Sequence, residues 1–171
     1  MSMIVKMPRR TWSVLAAVLV AGSVLLAGAP AEAQFGNASQ VEFSAQVLPA
    51  TDKLPVRLAI TVDIEEGWHI YSITQAKGGP RPTQLLPAAS DDYTLAGEFT
   101  PSVAPVIHVY EDIWPDLNVE EHTGTVTWTV PLKLADGVDA ASLLIEGTVR
   151  GQVCNEEQCN NFAKEFEAEL E

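Results

Sequence analysis

The feature that most constrains this chain is a strict two-residue alternation of apolar and polar side chains, repeated along its body. Val56, Leu58, Ile60, Val62 and Ile64 alternate with Arg57, Ala59, Thr61 and Asp63. Val126, Trp128, Val130, Leu132 and Leu134 alternate with Thr125, Thr127, Thr129 and Lys133. Val41, Phe43, Ala45 and Val47 form a shorter stretch of the same kind. A period of two puts successive side chains on opposite faces of an extended strand, so each segment predicts a strand with one buried face. Further strands are expected over Trp68–Ile73, Tyr93–Phe99, Val103–Val109 and Leu143–Val153. The 11 Pro and 11 Gly punctuate the gaps, as in Gly78-Gly79-Pro80 and Asp136-Gly137. The tail from Phe162 to Leu170 fits either a helix face or a strand face, and a last strand is the preferred reading. No long amphipathic helix and no internal repeat is visible. Seven or more short strands in the 138 residues from 34 to 171 predict one all-β domain, an immunoglobulin-like β-sandwich.

Residues 1–33 carry the three parts of a secretory signal peptide. Lys6, Arg9 and Arg10 are the positive segment, Trp12 to Leu26 the apolar segment, and Ala31-Glu32-Ala33 the small-x-small cleavage site. The expectation is cleavage after Ala33, a mature chain from Gln34, and an exported, periplasmic location. The rival is an uncleaved anchor, because the run from Trp12 to Ala29, about 18 residues, lies near the lower limit for spanning a bilayer. Its Ala and Gly content and the Ala-x-Ala ending favour cleavage. Lipid attachment is disfavoured, since Leu26-Ala27-Gly28 is followed by Ala29 and not by Cys. No second apolar run of spanning length exists, so no stable membrane insertion is expected after cleavage.

The formal charge is −13, and removal of the leader leaves 7 bases against 22 acids, a net −15. Such a body repels phosphate backbones, which excludes nucleic acid and anionic membrane surfaces as natural partners. With 47% hydrophobic residues the chain has enough apolar material for a packed core.

The two cysteines lie close together in Cys154-Asn155-Glu156-Glu157-Gln158-Cys159. An exported chain with two cysteines usually pairs them. Closing so short a loop stabilises by only about 2 kcal/mol in chain-entropy terms, against about 4–5 for a loop of roughly 100 residues. A staple is better placed between distant strands. A short surface bridge is instead accessible to an attacking thiolate, which favours a redox role, with an inert hairpin clip as the open alternative. Glu156 and Glu157 lie between the cysteines, and Arg150 is the nearby base. Acid neighbours disfavour a thiolate, so the pair is expected to react slowly unless a matched partner docks.

Four segments occur in order: Gly67-Trp68-His69-Ile70-Tyr71-Ser72, Tyr110-Glu111-Asp112-Ile113-Trp114, Thr127-Trp128-Thr129-Val130-Pro131-Leu132, and Gly151-Gln152-Val153-Cys154 leading to Cys159. Together, over roughly residues 41–170, they resemble the periplasmic N-terminal domain of the DsbD thiol:disulfide interchange protein family. The resemblance implies an immunoglobulin-like fold with both active cysteines at one end and no cofactor. It implies electron transfer from a thioredoxin-like domain to periplasmic disulfide isomerases and cytochrome-maturation thioredoxins. It further implies that Cys159 forms the mixed disulfide with partners and that Cys154 resolves it. A cap loop over the disulfide is implied, matched by Glu111, Asp112, Ile113 and Trp114, with Trp114 or Ile113 as the lid. An aromatic packed near the site is matched by Tyr71 and, secondarily, by Trp68 or His69. Two departures stand out. Asn160-Asn161 occupies a place where the family often has two prolines. No membrane conduit or thioredoxin-like domain follows within the 171 residues, so a stand-alone version served by a separate transmembrane electron donor is expected.

The remaining candidates carry less. His69, His108 and His122 are spread over more than fifty positions, and no two have metal-ligand spacing, so no metal is expected. Trp128 shares a face with Val126 and Val130 and reads as core. Trp114, between Ile113 and Pro115, is the candidate exposed aromatic. Glu65-Glu66 and Glu120-Glu121 read as solvated turn charges. Gly78-Gly79-Pro80 lacks the Lys-Ser/Thr and helix of a phosphate loop. The expected function is passage of reducing equivalents to partner proteins through Cys154 and Cys159, as a protein-disulfide reductase or interchange component. The alternative is a non-catalytic immunoglobulin-like binding or assembly module with a structural disulfide.

Overall fold

The computed structural model describes residues 38–170. The expected leader over residues 1–33 and its cleavage after Ala33 lie outside the described residues. Among the described residues the elements are β1 (Val41–Leu48), β2 (Arg57–Ile64), β3 (His69–Tyr71), β4 (Gln84–Pro87), β5 (Tyr93–Leu95) and β6 (Thr100–Pro101). They continue with β7 (Val106–Val109), β8 (Asn118–His122), β9 (Thr125–Leu134), a short 3-10 turn at Ala140–Ser142, β10 (Ile145–Cys154) and β11 (Cys159–Ala168).

The strands form two antiparallel sheets, the all-β sandwich expected of an immunoglobulin-like domain. In the first sheet β2 lies between β1 and β9, and β5 and β6 pair with the far side of β9. The second sheet runs β11-β10-β3-β8-β7. Its long strand β10 pairs with β4 over Gly147–Arg150 and with β3 at its last two residues.

The alternating residues of β2 and β9 face inward as their sequence dictates. Leu58, Ile60 and Val62 meet Val126, Trp128 and Val130, and all are buried. From the second sheet Ile70, Val149, Val153 and Phe162 join the same core. The Phe43 and Phe162 rings lie 5.4 Å apart between the layers. Each such side chain, fully buried, stabilises by about 1.5–3 kcal/mol. One edge is closed by the chain end, where the Val47 N–H donates to the Glu169 carbonyl at 2.8 Å.

The β10–β11 hairpin holds ten residue pairs in register, from Ile145 opposite Ala168 to Cys154 opposite Cys159. On its inward face Gly147 sits opposite Phe166 and Gly151 opposite Phe162. A Cβ at Gly147 would lie 2.6 Å from Phe166 Cε1 and 2.8 Å from the Leu86 carbonyl oxygen. These glycines make room for the rings above them.

Several strands differ from expectation. Trp68–Ile73 contracts to β3, and Val103–Val109 to β7. The expected Tyr93–Phe99 strand stops at Leu95, and pairing with β9 resumes only at Thr100. The break faces Pro131, whose carbonyl accepts from the Ala96 N–H but which has no N–H to return. β4 and β8 were not expected, and the last strand starts at Cys159, ahead of Phe162.

Candidate functional site

Along β10 the outward side chains Glu146 and Arg150 are exposed, while Ile145, Val149 and Val153 point into the core. Cys154 belongs to the outward phase, yet it is only 1% exposed. The loop between β7 and β8 covers it. Tyr110, Trp114 and Leu117 from this loop pack on Tyr71, Val119 and Cys154 and form a second, small apolar core outside the sandwich. The loop is folded by its own backbone. The Ile113 and Trp114 N–H groups donate to the Tyr110 carbonyl at 3.0 and 2.7 Å, and the Leu117 N–H to that of Trp114 at 3.2 Å. Asp116 takes the left-handed conformation that closes it, with φ of 65°.

Trp114 is therefore half-buried, edge-on to Tyr110 at 6.0 Å, which corrects its reading as the exposed aromatic. The exposed apolar residue is its neighbour Ile113, 64% accessible, with Glu111 and Asp112 exposed beside it. Tyr71 lies beneath the loop. Trp68 is half-buried, packed against the main core, and lines the groove beside the disulfide.

Cys159 is exposed and bonded to Cys154, with the two Cα atoms 4.1 Å apart across the hairpin end. The turn between them is held by one backbone bond and by the Asn155 side chain. The Asn155 N–H donates to the Gln158 carbonyl at 3.0 Å, and Asn155 Oδ1 accepts from the Glu157 and Gln158 N–H groups, each at 2.9 Å. The ladder and this turn place the two cysteines directly opposite one another. A groove of about 880 Å³ opens beside them, lined by both cysteines, His69, Tyr71 and the inner side of the lid.

At the base of the groove lies a polar cluster that sequence reasoning missed. Glu121, read as a solvated turn charge, is 6% exposed and sits in β8. The Tyr110 hydroxyl donates to Glu121 Oε1 at 2.9 Å. His69 Nε2 lies 3.6 Å from Oε1, and His108 Nε2 3.6 Å from Oε2. His69 Nε2 is also 3.3 Å from the Tyr71 hydroxyl. Pairing explains the convergence, because Tyr71 of β3 is opposite Glu121, and His108 of β7 is opposite Val119, two residues before it. Glu120, also read as a turn charge, is half-buried in β8 and accepts from the Thr74 hydroxyl. Asn118–His122 shows no apolar period, so the sequence carried no local signal for this strand or for the burial of Glu121.

Burial lowers the His69 pKa, an effect that Glu121 opposes and His108 reinforces. Tyr71 is pushed up to about 12, first by burial and then by the charges of Glu121 and Tyr110. Tyr110 is raised by burial and by its hydrogen bond to Glu121. His122 lies on the opposite face of β8, edge-on to Trp128 at 5.5 Å, and burial lowers its pKa. It is a core residue. Among the described residues no group of three or more His, Cys, Asp or Glu is arranged to hold a metal ion.

No protein-family model and no curated protein matches the sequence. Two solved structures are similar in fold. One is the N-terminal periplasmic domain of ScsB from Proteus mirabilis, at 12% identity and a TM-score of 0.48. That match covers 77% of this chain and 47% of the other, so the chain spans about half the length of that protein. The second comes from the complex between the DsbD N-terminal and PilB N-terminal domains of Neisseria meningitidis, at 14% identity and a TM-score of 0.46, over 73% of this chain and 80% of that one. The functional reading rests on the cysteine and lid geometry. Among the described residues no helix is long and apolar enough to cross a membrane.

Proposed function

We propose that this chain is an exported, periplasmic thiol–disulfide exchange domain that acts after removal of a leader ending at Ala33. It passes reducing equivalents to partner proteins through Cys154 and Cys159. The observation that carries this reading is the unequal access of two sulfurs on a fixed hairpin. Cys159 is exposed, while Cys154 is buried under the Tyr110–Leu117 lid.

In the reducing direction, the Cys159 thiolate attacks a partner disulfide and releases one partner sulfur as a thiolate. Cys154 then attacks Cys159 Sγ in the mixed disulfide and releases the second partner sulfur. The Cys154–Cys159 bond forms, the partner gains two electrons, and the two thiol protons pass to the released sulfurs. Because Cys154 is buried, an incoming protein thiol meets Cys159 first, which supports the assignment of Cys159 as the exchanging sulfur and Cys154 as the resolving one. Trp114 shields the buried sulfur, and the exposed Ile113, flanked by Glu111 and Asp112, offers a partner an apolar contact at the lid tip. The partners that fit are thioredoxin-like proteins and disulfide isomerases, with a separate transmembrane donor as the electron source.

As a structural clip the bond would add little, about 2 kcal/mol for so short a loop, to a hairpin already held by ten residue pairs. Separate Cys154→Ser and Cys159→Ser variants test the roles. Mixed with an oxidised thioredoxin-like protein, Cys154→Ser accumulates a stable mixed disulfide and Cys159→Ser does not. Trapping by both variants, or by neither, rejects the assignment.

A further inference from the structure

We infer that His69 is the general base that takes the proton from the Cys154 thiol for the resolving attack, and that Glu121 is the positioning residue for its ring. The inference rests on the exchange reading above and deepens it. Its basis is placement. His69 and Cys154 are directly paired residues on adjacent antiparallel strands, so their side chains leave the sheet on the same face. Such pairs have Cβ atoms about 4.5–5.5 Å apart. Both side chains line the groove beside the disulfide. Behind His69, Nε2 lies 3.6 Å from the buried Glu121 carboxylate and 3.3 Å from the Tyr71 hydroxyl. With the ring proton on Nε2, directed at Glu121, Nδ1 keeps the lone pair. Nucleophile, base and orienting carboxylate thus follow the logic of an activated cysteine.

The problem this arrangement solves is specific to the buried sulfur. Cys159 is exposed, and water can accept its proton. Cys154 is 1% exposed, and burial favours the neutral thiol. Glu65, Glu66 and Glu156 line the same groove and offer no positive charge that would stabilise a thiolate there. A resolving attack therefore needs a local proton acceptor. His69 is in a state to serve, since burial favours its neutral form. The charged or titratable groups around it are Glu121 on β8, Tyr71 on its own strand, His108 on β7, Tyr110 at the start of the lid, and Glu65, Glu66 and Glu156 in the lining of the same groove. The step balances. The thiol proton moves to Nδ1, the Cys154 sulfur pair forms the bond to Cys159 Sγ, and the partner sulfur leaves with the electron pair of the broken bond. The resulting imidazolium, held against Glu121, then returns its proton to solvent or to the leaving sulfur.

An ordinary thiol, with a pKa of about 8.5, is about 3% ionised at pH 7, so for such a thiol full ionisation raises a thiolate reaction by about 30-fold. The test uses the reduced protein and dithiobis-nitrobenzoate in a stopped-flow instrument, where the first nitrothiolate release reports attack by Cys159 and the second reports resolution by Cys154. In the wild-type protein the second release is expected to reach its plateau with an inflexion below about pH 6.5. His69→Gln slows the second release about 10-fold or more at pH 7 and moves its inflexion to the range of an unassisted thiol, so that the two proteins converge above pH 9. Glu121→Gln keeps the base but removes the charge that raises its pKa, and its inflexion shifts to lower pH. A wild-type inflexion at about 8.5 or above overturns the inference, and this measurement needs no variant to fold. It is equally overturned if folded His69→Gln resolves at the wild-type rate. A wild-type protein that gives a first release and never a second would instead reject the exchange function itself.

Discussion

Glu121 organises the outward face of the site, because a carboxylate at 6% exposure must be met by donors. Tyr110 donates from the lid, and His69 and His108 flank it from β3 and β7. The Tyr110 hydroxyl thus ties the lid to the sheet. Tyr110→Phe deletes that bond and leaves an acceptor short of a partner, with an expected loss of about 1–2 kcal/mol in urea unfolding. The titrating residues set the pH limits of stability. Burial lowers His69 and His122, so the unfolded chain binds their protons more readily than the folded one. Stability is then full above about pH 6.5 and falls as pH drops below it. The urea midpoint should decline from pH 7 to pH 5, and His122→Gln should weaken that slope without removing it, since His69 also contributes. At the other end, Tyr71 is raised to about 12, so its contribution is intact below about pH 10 and is lost as pH climbs towards 12. The cysteines were legible in the sequence from their spacing alone. Glu121 was not, because a buried carboxylate and a solvated one are written with the same letter, and its partners lie 11 to 52 residues away.

The lid and the strand after it were the elements hardest to read. β2 and β9 each bury one face, and alternation revealed them at once. β8 is covered on both sides, by the core against His122 and by the lid against Val119 and Glu121. Its Asn-Val-Glu-Glu-His sequence therefore shows no apolar period. β11 was half legible: Phe162 and Phe166 mark its inward face, while Asn161, Glu165 and Glu167 hide its outward one. The lid's function is testable on its own. Trp114→Ala opens the cover over Cys154 without touching either sulfur, and alkylation of Cys154 by iodoacetamide in the reduced protein should speed up by roughly 3- to 10-fold. An unchanged rate would mean that the lid does not limit access. The hairpin makes its own demand. Gly147→Ala drives a methyl group into the Phe166 ring and the Leu86 carbonyl, and should cost about 1–3 kcal/mol in thermal or urea unfolding.

At the scale of the whole molecule, the scaffold and the switch are separable. The sandwich core is built mainly from β1, β2, β3, β9, β10 and β11, and the disulfide sits at the far end of one hairpin, outside that core. Composition and alternation were sufficient to read this architecture, since an all-β chain with this many short strands has few ways to bury its faces. Alternation alone did not place the lid, which depends on contacts between segments distant in sequence; the expectation of a cap at Glu111–Trp114 came from the resemblance. Separability predicts that reduction leaves the fold intact and lowers stability by no more than about 2 kcal/mol. The central claim is that the Cys154–Cys159 bond opens and closes reversibly on this stationary frame, in exchange with protein partners. Equilibration of the mature protein against glutathione or thioredoxin buffers measures that directly as a reduction potential. The account predicts a value within the range of working exchange proteins, about −120 to −270 mV, and a value below about −300 mV, that of a permanent structural bond, would contradict it.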